Sequence, residues 1–238
     1  MTHPDRPIRS FVRRLGRITP AQERAFADYS STFCLQFAGA PIDIDTAFDR
    51  AAPLLIEIGF GMGHALLETA AARPDWNHLG IDVYRPGVGA LIKGAVDQGL
   101  TNLRVIEGDA VEVLAHGIAP NSVAQLHIFF ADPWPKKKHH KRRLIQAPFV
   151  TTLATRLRVG GRLLLATDWQ PYAEAMLEVL DAEPGFRNTA GQGQFSSRPA
   201  ERPSTRFERR GVALGHDVAD LVFERIDLGA SIASPRLS

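Results

Sequence analysis

A chain of 238 residues with 45% hydrophobic content can bury one sizeable core, so it reads as one domain with appendages. The single Cys34 excludes a disulfide within the chain and fits a reducing compartment, and no stretch approaches the roughly 20 apolar residues of a membrane span. The basic start Met1 to Arg17 lacks an apolar secretory segment, so a soluble cytoplasmic protein with no membrane partner is expected.

In chain order, residues 1–50 read as a basic N-terminal arm lying outside the core, with a helix start at Thr19-Pro20 followed by Ala21 to Ser30. Residues 51–228 form the main domain, and 229–238 read as a loose tail. Within the domain, apolar strands alternate with helical segments. The pairs are Leu54 to Ile58 then Met62 to Ala72, Asn77 to Val83 then Val88 to Gln98, and Leu103 to Ile106 then Ala110 to Ala115. They continue as Val123 to Ala131 then Arg143 to Leu157, Arg162 to Thr167 then Tyr172 to Leu180, and a last strand over Val218 to Ile226. This alternation predicts an α/β fold with a mostly parallel sheet and helices on both faces. Ligands of such open sheets sit beyond the carboxyl ends of the strands.

The first strand runs into Glu57-Ile58-Gly59-Phe60-Gly61-Met62-Gly63. A glycine loop feeding a helix lets backbone N–H groups approach an anionic group closely. A dinucleotide loop needs Gly-x-Gly-x-x-Gly, and His64 stands where the third glycine belongs. Glu57 would also repel a diphosphate. S-adenosylmethionine carries both a carboxylate and an ammonium, so Gly59, Gly61 and Gly63 together with a nearby acid suit it better.

Acids recur after the following strands. Asp82 stands 19 residues beyond Gly63, where a carboxylate can accept from both ribose hydroxyls of an adenosine. Asp109, in Gly108-Asp109-Ala110, can accept from an adenine amino group or cap the next helix, and the two roles are compatible. After the fourth strand comes Phe129-Phe130-Ala131-Asp132-Pro133-Trp134-Pro135, and after the fifth Thr167-Asp168-Trp169. Trp134 can offer a platform to a flat base or simply pack.

The net charge of +2 hides three basic clusters: Arg6, Arg9, Arg13, Arg14 and Arg17; Lys136 to Arg143, where six of eight residues are Lys or Arg; and Arg198, Arg202, Arg206, Arg209 and Arg210. One cluster is as readily a solvated face as a binding surface, but three favour RNA or DNA. The adjacent His139 and His140 cannot both face one ion from a regular element, and no further ligand stands at metal spacing, so no metal is expected.

These ordered segments, together with Pro86-Gly87-Val88-Gly89, Arg202-Pro203 to Arg210-Gly211 and the arm Arg9-Ser10-Phe11-Val12-Arg13-Arg14, resemble the bacterial tRNA (guanine-N7)-methyltransferase family over nearly the whole chain. The resemblance implies a Rossmann-like class I methyltransferase fold with seven strands, the last antiparallel, and modification of guanosine 46 in the tRNA variable loop. It places Glu57, Asp82, Asp109 and Asp132 in the S-adenosylmethionine site, with Asp132 as the catalytic residue. It sets Lys136, Asp168, Thr205, Arg206, Phe207 and Glu208 against the RNA. Ala131 departs from a common proline and Pro135 is a further departure, both bearing on loop geometry only.

The chemistry needs no base. Guanine N7 has a lone pair and no proton, so positioning dominates, and Asp132 or Asp168 would stabilise the developing positive charge or hold the guanine edge. Two other readings remain at this level. One is an exocyclic-amine methyltransferase, for which Trp134 stands where a second proline belongs; the other is a noncatalytic RNA-binding protein, against which the intact glycine loop and acids argue.

Overall fold

Every residue of β1 (Leu54–Ile58) and β4 (Val123–Phe129) is buried, and nearly every one of β2 (Asn77–Asp82). Strands buried on both faces require cover on both faces, the condition of a central parallel sheet. The computed structural model describes residues 10–11, 16–203, 208 and 217–228. With β3 (Leu103–Glu107), β5 (Leu157–Thr167), β6 (Phe186–Asn188) and β7 (Ala219–Arg225), these strands form one sheet in the order β3-β2-β1-β4-β5-β7-β6. Strands β1 to β5 pair in parallel, while β7 runs antiparallel to both β5 and β6. The class I arrangement of seven strands is therefore present.

Side chains alternate between the faces of each strand. Ile56 and Ile58 join Ile128 and Leu163 under α6 (Ala147–Arg156) and α7 (Gln170–Asp181), packed through Phe149, Tyr172 and Met176. Leu55 lies on the other face with Val105, covered by α1 (Pro20–Phe33), α3 (His64–Ala72) and α4 (Arg85–Asp97) through Phe33, Leu66 and Leu91. Glu57 shares the face of Leu55 and stands opposite Gly80 on β2 and His127 on β4.

The stretch before Asp49 is not outside the core in its described part. Thr19 opens α1 with a reciprocal capping box: its hydroxyl accepts from Gln22 N at 3.3 Å, and Gln22 Oε1 accepts from Thr19 N at 2.8 Å. Ala25 and Phe33 are buried, and α1 packs along α4. Beyond it Cys34 bridges to Val105 in parallel, and Leu35 N donates to Val105 O at 2.9 Å, so this segment covers the open edge of β3. The short α2 (Ile44–Phe48), capped by Asp43, buries Phe48 in the main cluster.

Other boundaries moved for local reasons. The fourth strand stops at Phe129 instead of Ala131, because Phe130 turns to φ 55° and two prolines then remove ladder donors. The helix expected from Arg143 starts at Ala147, with Pro148 in its first turn; a 3-10 turn over Lys137–Arg142 precedes it. The helix after Asp109 is the single turn α5 (Ala110–Glu112) running into a π-helical turn, Val113–Gly117. Strand β6 was not expected, being three residues without a pattern. Thr205, Arg206, Phe207, the arginines at 6, 9, 13, 14, 209 and 210, and the tail 229–238 lie outside the described residues.

Candidate active site

The glycine loop bridges β1 and α3, and Gly59, Gly61 and Gly63 have φ of 71°, 58° and 79°, a region costly to any residue with a Cβ. Gly61 N donates to Asp82 Oδ2 at 2.9 Å, tying the loop to the end of β2. A Cβ at Gly59 or Gly61 meets nothing within 4 Å, so the loop is open on its ligand side. Its other side is closed. A Cβ at Gly63 falls 2.6 Å from Leu91, and one at Gly87 falls 1.9 Å from the Gly61 carbonyl oxygen, so α4 supports the loop backbone directly.

Glu57 is buried, and its Oε2 has no hydrogen-bond partner. Burial, and secondarily the charge of Asp82, push its carboxyl up to about 8. An orphaned carboxyl oxygen beside an open glycine loop is a place for a cationic donor such as an ammonium. Asp82 accepts from Gly61 N through Oδ2 and from Tyr84 N through Oδ1, each at 2.9 Å, and the Val83 amide also stabilises its charged form. Burial raises its pKa, and nearby Asp132 adds to the rise. Thus Glu57, Asp82 and Asp132 form a row of acids across the ends of β1, β2 and β4. Asp109 caps α5 by accepting from Val111 N at 3.1 Å, so its capping role is realised.

A cavity of about 720 Å³ opens at the ends of β2 and β3, a volume suited to a nucleoside-sized ligand. Asp109, Val83 and Phe149 line it with Arg142 and, from the arm, Ser10 and Phe11; Glu57, Asp82 and Asp132 lie outside its wall. The open loop, the unpaired Glu57 oxygen, Asp82 at the end of β2 and the cavity beside Asp109 are groups that could hold the amino-acid tail, ribose and base of S-adenosylmethionine.

The basic segments divide on folding. Lys136, Lys137, Lys138 and Lys141 are exposed, but Arg143 is 7% exposed and turned inward. Partial desolvation and the surrounding Lys and Arg side chains lower the pKa of His139, which disfavours its charged form. Trp134, at φ 45°, packs: its Nε1 donates to Ser10 O at 3.2 Å, Arg142 lies 5.1 Å over its ring, and His139 meets it edge-on. In the third cluster, Arg202 is 1% exposed and holds Glu208 through two bonds of 2.9 and 2.8 Å and Asp220 through an ion pair of 2.6 Å. Arg198 also binds Glu208, at 3.0 Å. Glu208 is thereby bound up in this buried network, and these two arginines are not a free cationic surface. Asp168 is half-buried after β5, beside the exposed Trp169.

Sequence reasoning missed the polar row beneath the loop. Arg73 donates to Gln125 at 2.8 Å, and Gln125 donates to Nε2 of His127 at 2.9 Å. Burial pushes His127 down to about 3, so it is a neutral neighbour of Glu57. Its signal, polar residues at alternate positions of an otherwise apolar strand, was there to be read.

Among the described residues no helix is long and apolar enough to cross a membrane, and no group of three or more His, Cys, Asp or Glu is placed to hold a metal ion. Residues 51–221 match a family described as a putative methyltransferase. A tRNA (guanine-N(7)-)-methyltransferase of Pseudomonas fluorescens strain SBW25 is 55% identical over 93% of this chain and 92% of its own; that of Pseudomonas entomophila is 53% identical over 94% and 93%. Among solved structures, the 16S rRNA methyltransferase KamB superposes with a TM-score of 0.55 at 16% identity, covering 90% of this chain and 97% of its own. The antibiotic-resistance methyltransferase Kmr gives 0.55 at 18%, covering 81% and 95%. These structures share the fold, and the sequence similarity goes further: the chain belongs to the tRNA (guanine-N7)-methyltransferase family.

Proposed function

We propose that this protein transfers the methyl group of S-adenosylmethionine to N7 of a guanine in tRNA, at guanosine 46 of the variable loop. What supports the activity is similarity at 55% identity running through 93% of the chain, to a relative named for that reaction. The cofactor supplies an electrophilic methyl group on a sulfonium centre.

The chain's own residues bind and orient. Glu57 takes the ammonium, and the amides around Gly59, Gly61 and Gly63 take the carboxylate; Asp82 holds the ribose and Asp109 the adenine edge. Asp132, exposed beyond β4 and close to Asp82, borders both ligands. N7 needs no deprotonation, so Asp132 and Asp168 act on charge and orientation: they hold the guanine and offset the positive charge it acquires. Lys136 and the exposed lysines beside it bind phosphates, fixing register without reading sequence. Thr205, Arg206 and Phe207, which lie outside the described residues, complete the RNA contact beside Glu208, itself bound by Arg202.

The test is incubation with labelled S-adenosylmethionine and unmodified tRNA transcript, followed by borohydride reduction and aniline cleavage. Scission at one variable-loop guanosine is the expected result. Label without scission moves the target atom, and scission elsewhere refutes the site.

A further inference from the structure

Arg143 is the last member of the run that the sequence presents as a phosphate-binding patch, yet its side chain is folded into the protein. Its Nε donates to the Pro133 carbonyl at 3.0 Å, immediately after Asp132. Its Nη1 reaches the Pro171 carbonyl at 3.5 Å, in the first turn of α7 and three residues after Asp168. Its Nη2 donates to His140 Nε2 at 3.2 Å, and its guanidinium carbon lies 4.8 Å from the centroid of the Tyr172 ring. Tyr172, fully buried, accepts from Ile145 N at 3.1 Å and fixes the chain just beyond Arg143.

The loop so held needs holding. Phe130 at φ 55° and Trp134 at φ 45° flank Asp132 in a conformation that is costly to a side-chain-bearing residue and persists only where surroundings over-determine it. Phe130 N donates to Ala166 O at 2.8 Å, Trp134 is pinned from the arm, and Arg143 supplies the contact between them. A planar fork reaches two carbonyls and a ring at once; a lysine ammonium has neither the plane nor the span.

We propose that Arg143 is a positioning residue for methyl transfer, a brace that sets the Asp132 loop and the Asp168 loop at fixed separation, and not a contact to tRNA phosphate. This role rests on the activity proposed above. It predicts that replacing Arg143 changes the rate on bound tRNA and leaves tRNA affinity alone.

Arg143→Lys and Arg143→Gln separate the two roles. Both are compared with wild type for tRNA affinity across a salt series and for single-turnover rate at saturating tRNA and cofactor, each normalised to the S-adenosylmethionine-binding stoichiometry from calorimetry. Normalisation removes any loss of folded protein, and Arg143→Lys, which keeps the charge and the stem, decides the matter if the glutamine variant does not fold. The brace gives tRNA affinity within about threefold and an unchanged salt slope for both variants, with a rate lowered about 10²-fold even by lysine. A phosphate contact gives a lysine variant at wild-type rate and a glutamine variant whose salt slope shrinks by about 0.7–0.9, and that result overturns the brace. Wild-type protein that methylates no tRNA would instead sink the activity itself, which the same series reads first.

Discussion

Replacing Glu57 by glutamine tests the electrostatics of the site without any substrate. In the folded protein the carboxyl is enclosed, with Asp82 on one side and the neutral His127 opposite, and it titrates at about 8 against 4.5 when free in solution. Between those values the folded state holds the proton more tightly than the unfolded state. Glu57 therefore favours folding fully below pH 4.5, and that contribution drains away as pH rises toward 8. At pH 7, about 2.5 pH units into this window at about 1.4 kcal/mol each, the cost is roughly 3 kcal/mol. Glutamine carries no proton to lose. Urea unfolding of the cofactor-free proteins should give stabilities within about 1 kcal/mol at pH 5, and Glu57→Gln should be the more stable by about 3 kcal/mol at pH 7. The same group should release ~0.9 proton when wild type binds S-adenosylmethionine at pH 7, read by calorimetry in buffers of different ionisation enthalpy, and the variant should release none. Parallel stability profiles from pH 5 to 8 would refute the reasoning, because they would mean Glu57 is already ionised in the empty site.

Gly87→Ala should weaken cofactor binding at least about tenfold and cost about 1–3 kcal/mol, since its new methyl falls on the Gly61 carbonyl; an unchanged calorimetric Kd would show that α4 does not set the loop. Arg202→Met removes the buried cation between Glu208 and Asp220, leaving only the more exposed Arg198 beside them, and should cost about 3–5 kcal/mol in denaturant unfolding. Breaking the exposed Arg187–Glu224 pair should cost no more than about 1 kcal/mol, so equal losses would contradict the burial difference. Replacing Lys136, Lys137 and Lys138 together by alanine should reduce the salt slope of tRNA binding by about 2–3; a slope that stays put would remove these lysines from the RNA surface.

What was legible in the sequence was whatever is encoded by neighbours along the chain. Apolar runs such as Leu54 to Ile58 and Val123 to Phe129, separated by helical stretches, declare a doubly covered sheet because a strand buried on both faces has no polar period. Gly59, Gly61 and Gly63 mark the loop because their left-handed φ is costly to any residue with a Cβ, and the acids after each strand mark a candidate site because strand ends gather there. The Thr19-Pro20 helix start was equally local, being a capping box.

Tertiary structure decided what charge alone leaves undetermined. Arg143 and Lys138 look alike in the sequence, as do Arg202 and Arg187, yet Arg143 and Arg202 are drawn inward and Lys138 and Arg187 are left in water. The difference is made by partners that only folding brings together: the carbonyls of Pro133 and Pro171 for one, the carboxylates of Glu208 and Asp220 for the other. A buried guanidinium is tolerable only where several acceptors converge on it, and convergence is a property of the packed sheet and its loops. The same holds for α1, whose start is legible in the sequence but whose Phe33 finds the face of the sheet left open beside α4.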